Sequence, residues 1–197
     1  MVEFLKSEET VFTKSKINLG CGNKTEEGWI NIDIAPTIPN IDICMDLETE
    51  KWPIPDNSID EIKAIHVLEH IVNLKLVLKE VYRVLKLGGI FYIIVPAYRS
   101  MGAFQDPTHV RFFTDRTFKF YLTGLHFSYY FDGIRFKLKR LRKKRTHMYL
   151  KILKICYPFV KIFGKKRFDM FVDSFFMQTI SQYEVTMEKI EKDKLSK

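Results

Sequence analysis

Residues 74–95 combine two periodicities that only a layered α/β architecture reconciles. Leu74, Val77, Leu78, Val81, Val84 and Leu85 recur at i, i+3, i+4 and i+7 intervals, the spacing of an amphipathic helix with one buried stripe. Gly88-Gly89 is expected to end that helix. Ile90 to Val95 then runs apolar without interruption up to Pro96, as a strand buried on both faces does. Upstream, Lys16 to Gly20, Trp29 to Asp33, Ile41 to Asp46 and Ile59 to Val67 read as further short strands. Strands alternating with a helical pattern predict a doubly wound, mostly parallel sheet. With 197 residues, 46% of them hydrophobic, the chain has enough apolar material for one core, so a single domain over 1–197 is expected.

The second half has a different texture. Asp115 to Leu122 reads as a short helix with Thr114 as its cap, and Ile134, Phe136 and Leu138 alternate with basic residues after Asp132-Gly133. Tyr183 to Met187 alternates as a late strand, so a C-terminal antiparallel pair is expected. Between them, 148–166 places lysines near the helical period beside Leu, Ile, Phe and Val, with Pro158 expected to split the helix. Residues 135–167 hold 14 Lys or Arg and no acid, within a chain whose net charge is +8. The rest of the molecule is therefore acidic, and the basic excess points to a local anionic partner or a solvated face. An anionic membrane surface, packing against the chain's own core or another subunit, and RNA are the three occupants this segment suits. The odd set Cys21, Cys44 and Cys156 lacks a C-x-x-C pair, which fits neither a disulfide framework nor a cysteine zinc site and makes the cytoplasm the expected location. No signal peptide or spanning helix is read in Met1 to Lys16.

Asn18-Leu-Gly-Cys-Gly-Asn23 sets glycines directly after a strand, where a ligand can approach backbone N–H groups. A nicotinamide fingerprint fails here, because Thr25 stands at its third glycine and Asp33 comes too early for its ribose acid. Residues 23–28 are too few for a crossover helix. Asp33 can accept both hydrogens of a ribose diol; Asp46 can accept from an adenine amino group or cap its own loop.

Taken in order, INLGCG at 17–22, INID at 30–33, DLE at 46–48, WPIPDNSIDEI at 52–62, HVLEHI at 66–71 and EVYRVLKLGGIFYIIVP at 80–96 resemble the class I S-adenosylmethionine-dependent methyltransferases of the small methyltransferase-domain family. The resemblance covers about residues 15–98 and implies S-adenosyl-L-methionine as cofactor. It implies that Leu19, Gly20, Cys21 and Gly22 hold the methionine part, Asp33 and Ile34 the ribose side, Asp46 and Leu47 the adenine, and that His66 lies beneath the methyl group. Asn18 departs from the acid often found in the first strand, which weakens one expected contact to the cofactor's amino group.

On the acceptor side, Tyr98, Arg99, Asp106, His109 and Arg111 follow the buried strand, at the edge of the sheet where ligands bind. His109 and His66 are candidate bases; Arg111 is a candidate anion ligand; an Asp106-His109-Arg111 knot that merely fixes the loop is the competing reading. DPTHVRFFT at 106–114 also resembles a stretch of methyltransferases encoded among surface-glycan genes. His66 and His70 do not match a zinc protease, since Val67 replaces the required Glu, so no metal is expected and His70 is read as a cap or packing residue. The D/N-P-P-Y/F/W signature of base-modifying amino-methyltransferases is absent, with Ala64-Ile-His-Val in its place. The expected activity is methyl transfer to a small-molecule, glycan or lipid-linked saccharide acceptor, with 148–166 as a peripheral contact at the inner membrane face. An RNA or protein methyltransferase using 135–167 and a noncatalytic binding module are the rivals.

Overall fold

The computed structural model describes residues 2–4, 13–49, 51–121, 133–175 and 179–191. Its strands are β1 (Val2–Phe4), β2 (Lys16–Leu19), β3 (Ile30–Asp33), β4 (Ile43–Met45), β5 (Ile59–Ile65), β6 (Leu85–Pro96), β7 (Phe136–Arg145) and β8 (Ile180–Lys189). The helices are α1 (Leu74–Val84), α2 (His147–Ile155), α3 (Tyr157–Phe163) and α4 (Lys165–Phe175), together with a 3₁₀ turn at Met101–Ala103 and a π-helical turn at Thr117–Tyr121. All eight strands form one sheet in the order β1-β4-β3-β2-β5-β6-β8-β7. β2 to β6 pair in parallel, whereas β1 and the β7–β8 pair are antiparallel. From the β2–β5 pair the chain winds outward in both directions, and this switch point is where an open α/β sheet leaves a crevice at its carboxyl edge.

α1 buries Leu74, Val77, Leu78, Val81 and Val84 as its spacing requires, and Asn73 caps its start by accepting from the Leu76 N–H at 3.3 Å. It ends earlier than expected: Leu85 already belongs to β6, opposite Ile59, and Gly88-Gly89 lie inside the strand. Gly89 sits where a Cβ would come within 2.8 Å of the Lys86 carbonyl and 3.2 Å of the Ile59 carbonyl. There the register slips between Ile59 and Glu61, so the glycine serves a bulge rather than a helix stop.

The link from β2 to β3 is a loop, as its length demands. Buried Asn18 fastens it, donating to the Lys24 carbonyl at 2.9 Å and to Asn31 Oδ1 at 3.1 Å. Trp29 then covers the outward side chain of β5, with Lys63 Nζ 4.3 Å from its ring centroid and paired with Glu26. At the far end, buried Lys189 donates to the Leu85 carbonyl at 2.7 Å and to Asn57 Oδ1 at 2.8 Å, tying β8 to the end of α1. One core cluster runs from Ile17 to Met187. A second, small one gathers Tyr149, Phe168 and Val172 from α2 and α4.

The helical break falls at Cys156, with Pro158 in the first turn of α3 and Gly164 closing it, but the helical region continues to Phe175, beyond the expected limit of 166. Thr114 accepts from the Thr117 N–H at 3.3 Å, in its expected capping role. Asp132 and Leu122 lie outside the described residues.

Candidate functional site: a cofactor cradle at the switch point

Four strand ends converge on one cavity of about 360 Å³, inside the size range of cofactor sites. Gly20 follows β2, Asp33 ends β3 and Ile34 follows it, Met45 ends β4 with Asp46 and Leu47 after it, and His66 and Val67 follow β5. Gly20 has φ +54°, and a Cβ there would stand 2.6 Å from Val67 Cγ2, so only glycine lets these two strand ends approach while leaving the floor open. Gly22, at φ +49°, has nothing within 4 Å of where its Cβ would be. Its N–H donates to Asp33 Oδ2 at 2.8 Å, and the Ala35 N–H reaches Oδ1 at 3.2 Å. Each carboxylate oxygen keeps a second lone pair, so Asp33 is held in place with acceptor capacity to spare for a diol. Beside it, Ile34 is 65% exposed, and with Leu47 it supplies the apolar surface an adenine ring needs.

The loop after β4 is anchored from behind. Trp52 Nε1 donates to the Leu47 carbonyl at 3.0 Å, and Glu48 accepts from the Val72 and Asn73 N–H groups at 3.0 and 2.5 Å. This clamps the loop after β4 to the loop before α1. Asp46 Oδ1 caps its own turn through the Glu48 N–H at 2.9 Å, and the residue also lines the cavity. Glu48, Val67, His70 and Ile71 also line it; they lie in loops whose direction motif position does not reveal.

Three residues assigned from the sequence have side chains engaged elsewhere in the fold. Leu19 is fully buried within β2 and supports the cradle from below. Cys21 is also buried, its thiol pushed up from 9.0 to about 11, first by burial and then by the charge of Asp33, so it is a packing residue. Arg111 donates through Nε to the Ile71 carbonyl at 2.7 Å and through Nη2 to the Val72 carbonyl. It is a clamp between loops, not an anion ligand, and it takes no part in a knot with Asp106.

A second cleft of about 410 Å³ adjoins the first and shares His66 and His70 with it. Asp106 and His109 line this cleft together with Ser100, Gln105 and Gln182. Asp106 accepts from the Thr108 N–H at 2.9 Å and hydroxyl at 2.7 Å, which hold its carboxyl below the usual range. His109 Nδ1 lies 3.0 Å from the Ala103 carbonyl. Tyr98 and Arg99, by contrast, face another pocket with Asp115, Lys143 and Asp173, where Arg99 donates to the Asp173 carbonyl. They are removed from the cleft beside the cradle. His66 holds φ +56°, a conformation uncommon among non-glycine residues and concentrated at functional sites. Its N–H donates to the Ile94 carbonyl at 2.9 Å, and its Nδ1 lies 3.2 Å from Glu69 Oε1. His70 lies in a turn, not at a helix cap, since Asn73 takes that role.

Residues 18–93 match the methyltransferase-domain family. No curated protein matches the chain by sequence. Among solved structures, a SAM-dependent methyltransferase from Archaeoglobus fulgidus superposes with a TM-score of 0.60 at 16% identity, over 94% of this chain and 96% of that one. A methyltransferase from Methanosarcina mazei gives 0.53 at 15% over 96% and 100%. A putative methyltransferase from Bacillus halodurans gives 0.56 at 15% over 89% and 92%. At such identities the likeness shows the fold, while the family match covers the cradle itself. The glycine floor, Asp33 and the apolar wall all lie within the matched residues, and the fold is that of the class I S-adenosylmethionine-dependent methyltransferases.

Proposed function

We propose that the methyl group goes to a hydroxyl of a carbohydrate acceptor, a glycan, sugar nucleotide or lipid-linked saccharide, taken up in the cleft beyond His66. The observation that carries this reading is the cleft's lining. Ser100, Gln105, Asp106, Ser181 and Gln182 offer neutral or acidic hydrogen-bonding groups, and no Lys or Arg is among its described lining residues. Sugar hydroxyls suit such a wall, whereas a nucleic acid needs cations against its phosphates. When bound, S-adenosylmethionine supplies an electrophilic methyl on a sulfonium. The chain's own part is positioning: it holds the acceptor in line with that methyl, a source of rate that needs geometry more than acid–base help. His66 stands between the two pockets with Nδ1 engaged by Glu69, leaving Nε2 to accept the hydrogen bond of the acceptor hydroxyl.

The same reading places α2 to α4 on an anionic bilayer surface. Ile155, Tyr157, Ile162 and Met170 are 79%, 63%, 73% and 63% exposed, and Lys151, Lys154, Lys161 and Lys166 are exposed beside them. Apolar side chains rimmed by lysines match the chemistry of an interfacial helix. No helix among the described residues is long and apolar enough to cross a membrane. β7 contributes less to the basic surface than its composition suggests, because Lys139 pairs with Glu188 at 2.9 Å and Arg142 lies opposite Glu184.

Incubation with methyl-labelled cofactor and a panel of sugar nucleotides, lipid-linked saccharides, RNA and protein is expected to label a saccharide; label confined to RNA or protein overturns the reading. In cosedimentation, the protein is expected to follow phosphatidylcholine vesicles only when they contain phosphatidylglycerol, and to release with added salt. Ile155→Asp with Ile162→Asp should abolish that recovery. Equal recovery with neutral vesicles, or none with either, removes the bilayer.

A further inference from the structure

We propose that Glu69, His70 and His109 form a binding site for a divalent transition-metal ion in the wall of the acceptor cleft. One potential ligand atom from each of the three lies within 4.8 Å of the others. Donors around a four-coordinate zinc stand about 3.4 Å apart, given bonds of about 2.1 Å, so closure asks for side-chain shifts of about an ångström or less. The three residues come from two loops stitched together by backbone: the Glu69 carbonyl accepts from the Val110 and Arg111 N–H groups at 2.9 and 3.1 Å.

Two observations independent of that proximity point to a ligand. Glu69 is 1% exposed, and its Oε2 is a buried oxygen with no hydrogen-bond partner. A carboxylate oxygen withdrawn from water and left without a donor is costly, and a cation at this point would satisfy it. The imidazoles supply the second observation. The Thr108 hydroxyl spends its only hydrogen on Asp106 Oδ1 at 2.7 Å, so at its 2.9 Å contact with His70 Nδ1 it can only accept. His70 therefore carries its proton on Nδ1. The Ala103 carbonyl, 3.0 Å from His109 Nδ1, imposes the same tautomer on His109. Both rings are thus oriented through Nδ1, as histidine ligands are held around metals; Asp106 Oδ2 stands 3.8 Å from His109 Nε2, beyond hydrogen-bond reach, so the Nε2 lone pairs are open to a metal. The two rings meet edge to face, with centroids 4.7 Å apart, which brings the two ligands together.

Two imidazoles and one carboxylate suit zinc, cobalt, iron or manganese better than calcium or magnesium, which favour all-oxygen shells. Three protein ligands leave at least one position open. Since Glu69, His70 and His109 line the cleft that also holds Ser100 and Asp106, an acceptor oxygen can take that position. The sequence reading expected no metal because it weighed only the spacing of His66 and His70. The ligand that completes the set, His109, lies 39 positions beyond His70.

The test is titration of chelator-treated protein with zinc chloride by calorimetry and with cobalt chloride by visible absorption. One equivalent of zinc is expected to bind with micromolar or tighter affinity. Cobalt should give nitrogen–oxygen ligand-field bands without the near-ultraviolet thiolate band that Cys21, Cys44 or Cys156 would produce. Glu69→Gln and His109→Ala should each weaken zinc binding at least tenfold, whereas His147→Ala, on an exposed histidine at the start of α2, should leave it unchanged. S-adenosylhomocysteine binding by the same preparations reports that the fold and cradle are intact. Absence of zinc binding in protein that still binds S-adenosylhomocysteine, a thiolate band with cobalt, or zinc binding indifferent to Glu69→Gln and His109→Ala would each overturn the site.

Discussion

Gly20→Ala is expected to weaken S-adenosylmethionine binding by at least about a hundredfold, about 2.7 kcal/mol. Two costs combine at that position. At φ +54° a residue with a Cβ is strained by about 1–2 kcal/mol. The added methyl would also sit 2.6 Å from Val67 Cγ2 and 3.1 Å from Cγ1, inside contact distance of a β-branched side chain that cannot swing away cheaply. Val67 is buried at the end of β5, so the strain is relieved by moving the floor of the cradle, where a displacement of an ångström costs orders of magnitude in function. Calorimetry on the folded variant measures the loss. Adding Val67→Ala removes the collision but not the backbone strain, so the double variant should recover part of the affinity, a coupling expected of side chains in contact. Wild-type affinity in Gly20→Ala would show that the cofactor does not use this floor.

Glu80→Ala should destabilise the fold by about 3–5 kcal/mol, the cost of removing one partner from a buried ion pair. Glu80 lies on α1 yet is buried, because its carboxylate collects three donors. The Trp52 N–H arrives at 2.7 Å, Arg83 Nη2 at 2.6 Å and Arg83 Nε at 2.9 Å. Arg83 in turn donates to the Trp52 and Ile54 carbonyls at 3.0 and 2.7 Å, so one ion pair pins the whole 52–56 turn against the helix. These hydrogen bonds push the Arg83 pKa up, with Glu80 as the first cause and Asp56 behind it. Truncation leaves the Trp52 N–H and a guanidinium without their acceptor. For a chain of this size the loss lowers the melting temperature by on the order of 10 °C. Thermal unfolding followed by circular dichroism checks this, and a shift within a degree or two would mean the pair contributes little. Because Trp52 also anchors Leu47, the variant should lose cofactor affinity before it unfolds.

How far the sequence reveals this molecule depends on how local each signal is. The helix over 74–84 and the strands bearing Ile17, Ile32, Ile62 and Ile93 declare themselves through period and run length, and all four isoleucines are fully buried. The glycine floor and Asp33 declare themselves through order along the chain. β1 does not, because three residues carry no periodicity and its strand exists only by pairing with β4. The true boundary between α1 and β6 was hidden by a glycine pair whose need arises from the Ile59 carbonyl on a neighbouring strand. Residues 167–175 lack a clean amphipathic signal because Asp169 and Asp173 interrupt it. Both acids are spent inside the small cluster, on Tyr149 and on Arg145. Arg111 has the chemistry of an anion ligand, and only the folded loops show that two carbonyls claim it. Side chains whose partners lie far along the chain are the ones sequence position misassigns.

Titration of the purified protein with S-adenosylmethionine and S-adenosylhomocysteine, with Asp33→Ala alongside, tests the cradle most directly. Asp33 is fixed by the Gly22 N–H at 2.8 Å, and a charged hydrogen bond to a ligand is worth about 1.5–3 kcal/mol. Micromolar binding by the native chain, weakened by at least about tenfold in Asp33→Ala, is the predicted result. Equal affinity in the two proteins, or no binding by a folded native chain, would contradict the placement of the cofactor at this switch point.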